Sequence, residues 1–108
     1  MTLNTAVTNI IDGKPVAGSS DERRPVLNPS TGEALTEVNE STVEDADLAV
    51  RAARSAFPEW AARTPGQRSQ LLHQLVDLID DHIDELAELE SLDAGKPITA
   101  ARREELPG

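Results

Sequence analysis

Between Gln67 and Gly95 the chain carries neither proline nor glycine, and this unbroken run constrains the fold more than any other feature. It opens on Thr64-Pro65-Gly66-Gln67, a capping box with proline at the favoured first helical position. It closes on Gly95 with Pro97 shortly after, a helix stop in which glycine takes the left-handed cap and proline bars continuation. Leu72, Leu75, Val76, Ile79, Ile83, Leu86 and Ala87 form one stripe, widened by Leu71, Leu78 and Leu89. The spacing predicts a single helix of about 28 residues, about 42 Å long at 1.5 Å per residue. That is over twice the usual length in globular proteins.

The material available to cover such a face is slight. Val7-Thr8-Asn9-Ile10-Ile11 reads as a short β-branched strand. Asp12-Gly13, the strongest two-residue hairpin signal, follows it. Lys14-Pro15-Val16-Ala17 is the return strand, with Pro15 confined to an edge. Pro25-Val26-Leu27 leads into Asn28-Pro29-Ser30-Thr31-Gly32-Glu33, a turn in which proline fixes one φ and glycine tolerates positive φ. Ala34-Leu35-Thr36-Glu37-Val38 then alternates as a half-buried strand. At Ser41 the period changes. Ser41 with Glu44 reads as a capping box, and Val43, Ala46, Ala49, Val50, Ala53, Ala56 and Phe57 recur at helical spacing. Pro58 disfavours helix at Phe57 and predicts an end there. Residues 98–105 suggest the start of another helix.

The chain has 108 residues, of which 38% are apolar, with one Phe, one Trp and no Tyr. Two hairpins and an Ala-rich helix cannot bury a broad leucine face, so the long helix is expected to pack on something this chain does not supply. The net charge of −10, with 20 acidic against 10 basic residues, argues against nucleic acid and anionic membranes. No cysteine is present, which removes disulfides, thiolate metal sites and thiol nucleophiles together. No secretory signal or membrane span is visible. A soluble, cytoplasmic protein is the expectation.

The candidate chemistry is sparse. His73 and Asp77 are four apart, and His82 lies near Asp81 and Asp84. Without a His-Glu-x-x-His pattern these read as a solvated polar face rather than a metal site. The carboxylates from Asp77 to Glu90 read as the wet side of the helix rather than as paired acids and bases. Gly95-Lys96-Pro97 lacks the hydroxyl residue and the first glycine of a phosphate loop, and it ends a helix rather than starting one. Asp93 stands apart, because a carboxylate at a helix C-terminus faces unpaired carbonyls and the negative pole of the macrodipole. A bound cation would relieve both; the alternative is that Asp93 caps neighbouring amides or pairs with Lys96, and spacing alone favours that alternative.

In order, several stretches resemble the N-terminal region of the NAD(P)-dependent aldehyde dehydrogenase superfamily. They are Ile11-Asp12-Gly13-Lys14, Asn28-Pro29-Ser30-Thr31-Gly32-Glu33, the run from Glu44 to Val50 with Ala52-Ala53-Arg54-Ser55-Ala56-Phe57, Trp60, Gln67-Arg68-Ser69, and Glu90-Ser91-Leu92-Asp93-Ala94-Gly95-Lys96-Pro97. Glu104-Glu105-Leu106-Pro107 looks most like the aminobutyraldehyde and betaine aldehyde branch. The resemblance implies oxidation of an aldehyde to a carboxylic acid with NAD or NADP. A cysteine thiolate attacks, hydride passes to nicotinamide, and a glutamate activates the hydrolytic water. The cofactor lysine, Gly-rich turn, glutamate and cysteine of that chemistry match no position here, so no catalytic or cofactor-binding residue is expected in this chain. The resemblance also implies a monovalent cation, K or Na, held by the carbonyls of Val26 and Leu27 and by Asp93.

The fold class implied is α+β, two N-terminal hairpins then long helices, forming part of an α/β Rossmann-like cofactor domain. Residues 1–40 are read as the hairpin segment and 41–108 as the helical segment of one incomplete portion of that domain. The expected partners are the remainder of the dehydrogenase and, when complete, further copies in a homo-oligomer. The chain is thus read as an inactive N-terminal fragment. The rival reading is a non-enzymatic module that docks through its leucine stripe.

Overall fold

The computed structural model describes residues 7–105, and the chain divides into two compact units. The first holds the described residues up to Leu27 together with Ala34–Ala62, and the second holds Asn28–Glu33 together with the residues from Arg63 onward.

In the first unit, β1 (Asn9–Ile11) and β2 (Lys14–Val16) pair antiparallel, with Asn9 opposite Val16. Asp12 (φ 53°) and Gly13 (φ 71°) both adopt positive φ, the requirement of the hairpin turn that Asp-Gly satisfies. Pro15 sits in this two-stranded ribbon, where every strand is an edge. The second pair, β3 (Arg23–Leu27) and β4 (Ala34–Asn39), is also antiparallel. A register shift between Val26 and Leu27 sets Leu27 opposite Ala34.

Helix α1 (Val43–Ala62) differs from expectation at both ends. The cap is one residue later than predicted. Thr42 Oγ1 accepts from the Asp45 amide at 3.2 Å, and Asp45 Oδ2 accepts from the Thr42 amide at 2.8 Å. Ser41 is engaged elsewhere, its hydroxyl taking a bond from Asn9 Nδ2 at 2.7 Å. The predicted stop at Phe57 also fails, since the helix runs through Pro58 to Ala62. A proline this near the C-terminal end removes one backbone bond, and the good helix formers Glu59 and Ala61 carry the helix onward.

In the second unit, the loop Asn28–Glu33 is closed on itself. The Asn28 carbonyl accepts from Gly32 at 2.7 Å, its side chain accepts from the Ser30 amide at 2.9 Å, and the Glu33 carbonyl accepts from the Asn28 amide at 2.8 Å. An Asn side chain folding onto the backbone two residues ahead makes an Asx turn. Helix α2 (Pro65–Asp81) starts at the expected Thr64–Gln67 box, with both reciprocal bonds formed at 2.9 and 3.2 Å.

The single long helix is not what forms. The run breaks at His82 (φ −113°, ψ 17°), and α3 (Ile83–Ala94) follows. The His82 ring Nδ1 lies 2.8 Å from the Leu78 carbonyl, which also receives the His82 amide at 3.2 Å. A side chain competing for a carbonyl of the helical ladder is a recognised cause of such a break. The stop at Gly95 holds: its φ is 72° and its amide donates to the Ser91 carbonyl at 3.0 Å. A short turn α4 (Ile98–Ala100) then widens into a π segment, Ala101–Glu105, which packs against α3. Arg102 Nε reaches Asp84 Oδ1 at 2.6 Å across that contact.

Candidate functional site

Burial defines what this chain can and cannot do. Among the described residues, the buried apolar side chains are Leu35, Ala87 and Ala101, a minute core for a chain of this length. Helix α2 buries none of its residues. Leu72, Leu75, Val76 and Leu78 are between 51% and 57% exposed. In α1, Val43, Val50 and Phe57 are exposed by 82%, 58% and 64%. Scattered exposed leucines are ordinary, but contiguous apolar faces on successive helices mark surfaces built for contact.

Among the described residues two polar side chains are buried, Asn28 in its own loop and Asp45, which has 5% of its surface exposed. Its Oδ2 accepts from the Ser19 amide, the Ser19 hydroxyl and the Thr42 amide, each at 2.8 Å. The Ser19 amide contributes most and the Thr42 amide next, and together they hold the carboxyl at about 2. Three donors converging on a carboxylate favour its charged form, and desolvation offsets only part of this. The helix N-terminus adds favourable potential. Asp45 therefore ties the Gly18–Glu22 loop to α1, a structural anchor that neither periodicity nor spacing signalled.

Linkage fixes the sign of its pH dependence. A carboxyl with a lowered folded-state pKa contributes its full stabilisation above the ordinary carboxylate range near 3.8, and loses it as pH falls toward about 2. The expected result is a loss of α1 helicity between those limits, read by circular dichroism. Asp45→Asn should flatten that acid-dependent loss.

The expected site residues are placed as follows. Val26 is half-buried in β3 and Leu27 is exposed at its end, both in the first unit. Asp93 is exposed in the last turn of α3, in the second unit. Lys96, the alternative partner of Asp93, reaches Glu90 Oε1 at 3.1 Å. His73 and Asp77 belong to no cluster, for the described residues contain no group of three His, Cys, Asp or Glu that could hold a metal. No described helix is long and apolar enough to cross a membrane. Leu106 and Pro107 lie outside the described residues.

The helix ends are occupied by the chain's own groups. Anions bind at open helix N-termini, and here α1 and α2 are closed by Thr42 with Asp45 and by Thr64 with Gln67. Asp84 and Glu85 occupy the first turn of α3. Gly95 ends a helix instead of opening one.

Comparison with known proteins gives this architecture a context. The model of the Aldehyde dehydrogenase family matches residues 16–108. The 2-aminomuconic semialdehyde dehydrogenase of Bos taurus is 49% identical over 101 residues, covering 92% of this chain and 20% of that protein. The aldehyde dehydrogenase of Bacillus cereus, solved as its NAD+ complex, superposes with a TM-score of 0.89 at 40% identity, over 96% of this chain and 22% of that one. Betaine aldehyde dehydrogenase of Staphylococcus aureus, also solved with NAD+, matches with a TM-score of 0.81 at 35% identity, over 88% of this chain and 20% of that one. The chain spans about one-fifth of the length of the relatives it matches. With the hairpins, the Asn28 loop and the Gly95 stop in place, the match over residues 16–108 shows that the chain belongs to the aldehyde dehydrogenase family.

Proposed function

We propose that this chain forms the N-terminal part of an NAD(P)-dependent aldehyde dehydrogenase, and that the 108 residues alone have no turnover. The observation that carries this reading is a family match across residues 16–108 in a chain with no cysteine. Covalent attack on an aldehyde requires an activated nucleophile, and the chain has no thiol to supply one. Two relatives named for nitrogen-bearing aldehydes, 2-aminomuconic semialdehyde and betaine aldehyde, support an amino-substituted substrate for the complete enzyme. NAD is the favoured cofactor there, by analogy with relatives solved as NAD+ complexes. The cytoplasm is the proposed compartment, and a homo-oligomer the proposed state of the complete enzyme. The cation expectation for Val26, Leu27 and Asp93 stays a proposal for that enzyme, to be tested by the potassium dependence of its stability.

The purified chain, supplied with NAD+ and an aminoaldehyde, is expected to yield no NADH. Cofactor-dependent oxidation by the chain alone would overturn the reading. Reading the genomic DNA past codon 108 is the companion test: a continuation encoding a cysteine-bearing domain is expected.

In the complete enzyme the open face of α2 is the surface on which the remainder packs. Leu75 is 51% exposed here, so Leu75→Ala should change the stability of the isolated chain by less than about 1 kcal/mol. The same substitution should cost the complete enzyme about 2–5 kcal/mol, the range for truncating a buried leucine. Equal effects in both, read by chemical denaturation, would count against this docking face.

A further inference from the structure

The break at His82 has no cause in the packing of this chain. Helix α2 buries none of its residues, so no tertiary contact presses its last turn out of line. Neither proline nor glycine stands between Gln67 and Gly95, and the apolar spacing runs on through Ile79, Ile83, Leu86 and Ala87. With proline and glycine absent, the interruption is left to a group that enters the hydrogen-bond ladder.

The His82 ring is that group. Its Nδ1 lies 2.8 Å from the Leu78 carbonyl oxygen. That oxygen can only accept, so Nδ1 carries the proton. The same oxygen receives the His82 amide at 3.2 Å, while the amide also reaches the Ile79 carbonyl at 3.1 Å. An amide shared between the carbonyls three and four residues back belongs to a tightened, terminal turn. His82 takes φ −113° and ψ 17°, away from the helical values. Its own carbonyl then starts α3 by accepting from Leu86 at 3.0 Å.

The two helices use the apolar stripe differently. In α3, Ala87 is buried and Asp84 is tied to Arg102 at 2.6 Å, so this helix is fixed to the turn that follows it. In α2, Leu75 and Val76 stay open, 51% and 54% exposed. The direction of that open face relative to α3 is set at residue 82.

The interruption places the Ile83, Asp84 and Glu85 amides in the first turn of a new helix, where they have no intrahelical acceptor. A continuous helix would give them the carbonyls of Ile79, Asp80 and Asp81. Solvent-exposed backbone bonds and a single ring bond are of the same order in net worth. The broken and continuous forms are therefore close in free energy, and one side chain can decide between them.

We propose that His82 is a positioning residue. Its ring, bound through Nδ1 to the Leu78 carbonyl, keeps α2 and α3 as two helices in a stretch whose sequence otherwise specifies one, and so aims the open leucine face of α2. The inference does not rest on the dehydrogenase reading, because every group involved lies within residues 78–86.

Hydrogen exchange of the full chain, followed by NMR, tests it. The Ile83, Asp84 and Glu85 amides are expected to exchange rapidly in the parent chain. His82→Leu removes the donor and keeps a bulky side chain, so the three amides should slow about tenfold as they gain acceptors. His82→Asn offers an Nδ2–H to the same carbonyl and should keep them within about threefold of the parent. Ring nitrogen shifts of the parent chain should place the proton of the neutral imidazole on Nδ1, a measurement that decides the matter even where a substitution unfolds α2. Amides that stay fast in His82→Leu, amides that slow equally in His82→Asn, or a neutral ring protonated at Nε2 would each overturn the proposal.

Discussion

Replacing Gly18 with alanine is expected to prise the Gly18–Glu22 loop away from the end of β4 and to speed exchange of the Ser20 amide by about a hundredfold. A Cβ at Gly18 would sit 2.4 Å from the Glu40 carbonyl oxygen and 2.5 Å from that of Asn39. Both obstacles are backbone, and no rotamer change relieves them. Forced overpacking costs about 1–3 kcal/mol, and an immovable clash on two sides belongs at the upper end, equivalent to about a hundredfold in an opening equilibrium. The loop is zipped to this strand end by three bonds: the Ser20 amide to the Glu40 carbonyl at 3.1 Å, the Glu40 amide to the Glu22 carbonyl at 2.9 Å, and Asn39 Nδ2 to the Ser20 carbonyl at 3.3 Å. Displacing Gly18 also draws Ser19 off Asp45, so the Ser19 and Thr42 amides should lose protection together. Protection unchanged in the variant would mean that the close approach is not maintained in solution.

Gly95→Ala should have the second-largest effect, by a different combination of causes. The residue must hold φ at 72° to close α3, a conformation costing about 1–2 kcal/mol for a residue with a Cβ. That Cβ would also lie 2.9 Å from Pro29 Cγ and 3.7 Å from Ser30 Oγ. The Pro29 ring can yield a little where backbone cannot, so the total is about 2 kcal/mol, or about thirtyfold. Hydrogen exchange should report it at residue 95 and at the Gly32 amide, which bonds the Asn28 carbonyl. Gly13→Ala supplies the calibration. Its φ is 71° and nothing lies within 4 Å of the added carbon, so it should cost only the conformational part.

The local rules that succeeded in the sequence are those whose partners lie a few residues apart. Thr64 and Gln67 satisfy each other, Asp12-Gly13 turns on its own torsions, and Gly95 caps from its own position. The α1 cap was ambiguous because Ser41-Thr42-Val43-Glu44-Asp45 contains two overlapping boxes. Ser19 resolves the ambiguity from 26 residues upstream by binding Asp45, while Asn9 occupies Ser41. No window over the helix could contain that information. The break at His82 is of the same kind, since the amphipathic spacing continues unbroken and the ring's sharing of the Leu78 carbonyl with the His82 amide leaves no mark in it. Pro58 shows the converse, a strong local signal outvoted by the helix formers around it.

The shortage of core was legible from composition and stripe width, and the family from ordered motifs. Leu35, Ala87 and Ala101 as the buried apolar residues were not legible. Their burial depends on β4 and on the α3 contact with the 98–105 turn, which sequence periodicity does not reveal.

This chain builds its secondary structure but leaves the apolar faces of its helices open. A thermal melt of the dilute chain by circular dichroism tests it most directly. A domain of this size that buries its own core unfolds sharply, with a van 't Hoff enthalpy of about 60–80 kcal/mol. A shallow melt with a far smaller enthalpy is expected here, because little apolar surface is withdrawn from water. A sharp transition with the full enthalpy, from a chain shown to be monomeric under the same conditions, would contradict it.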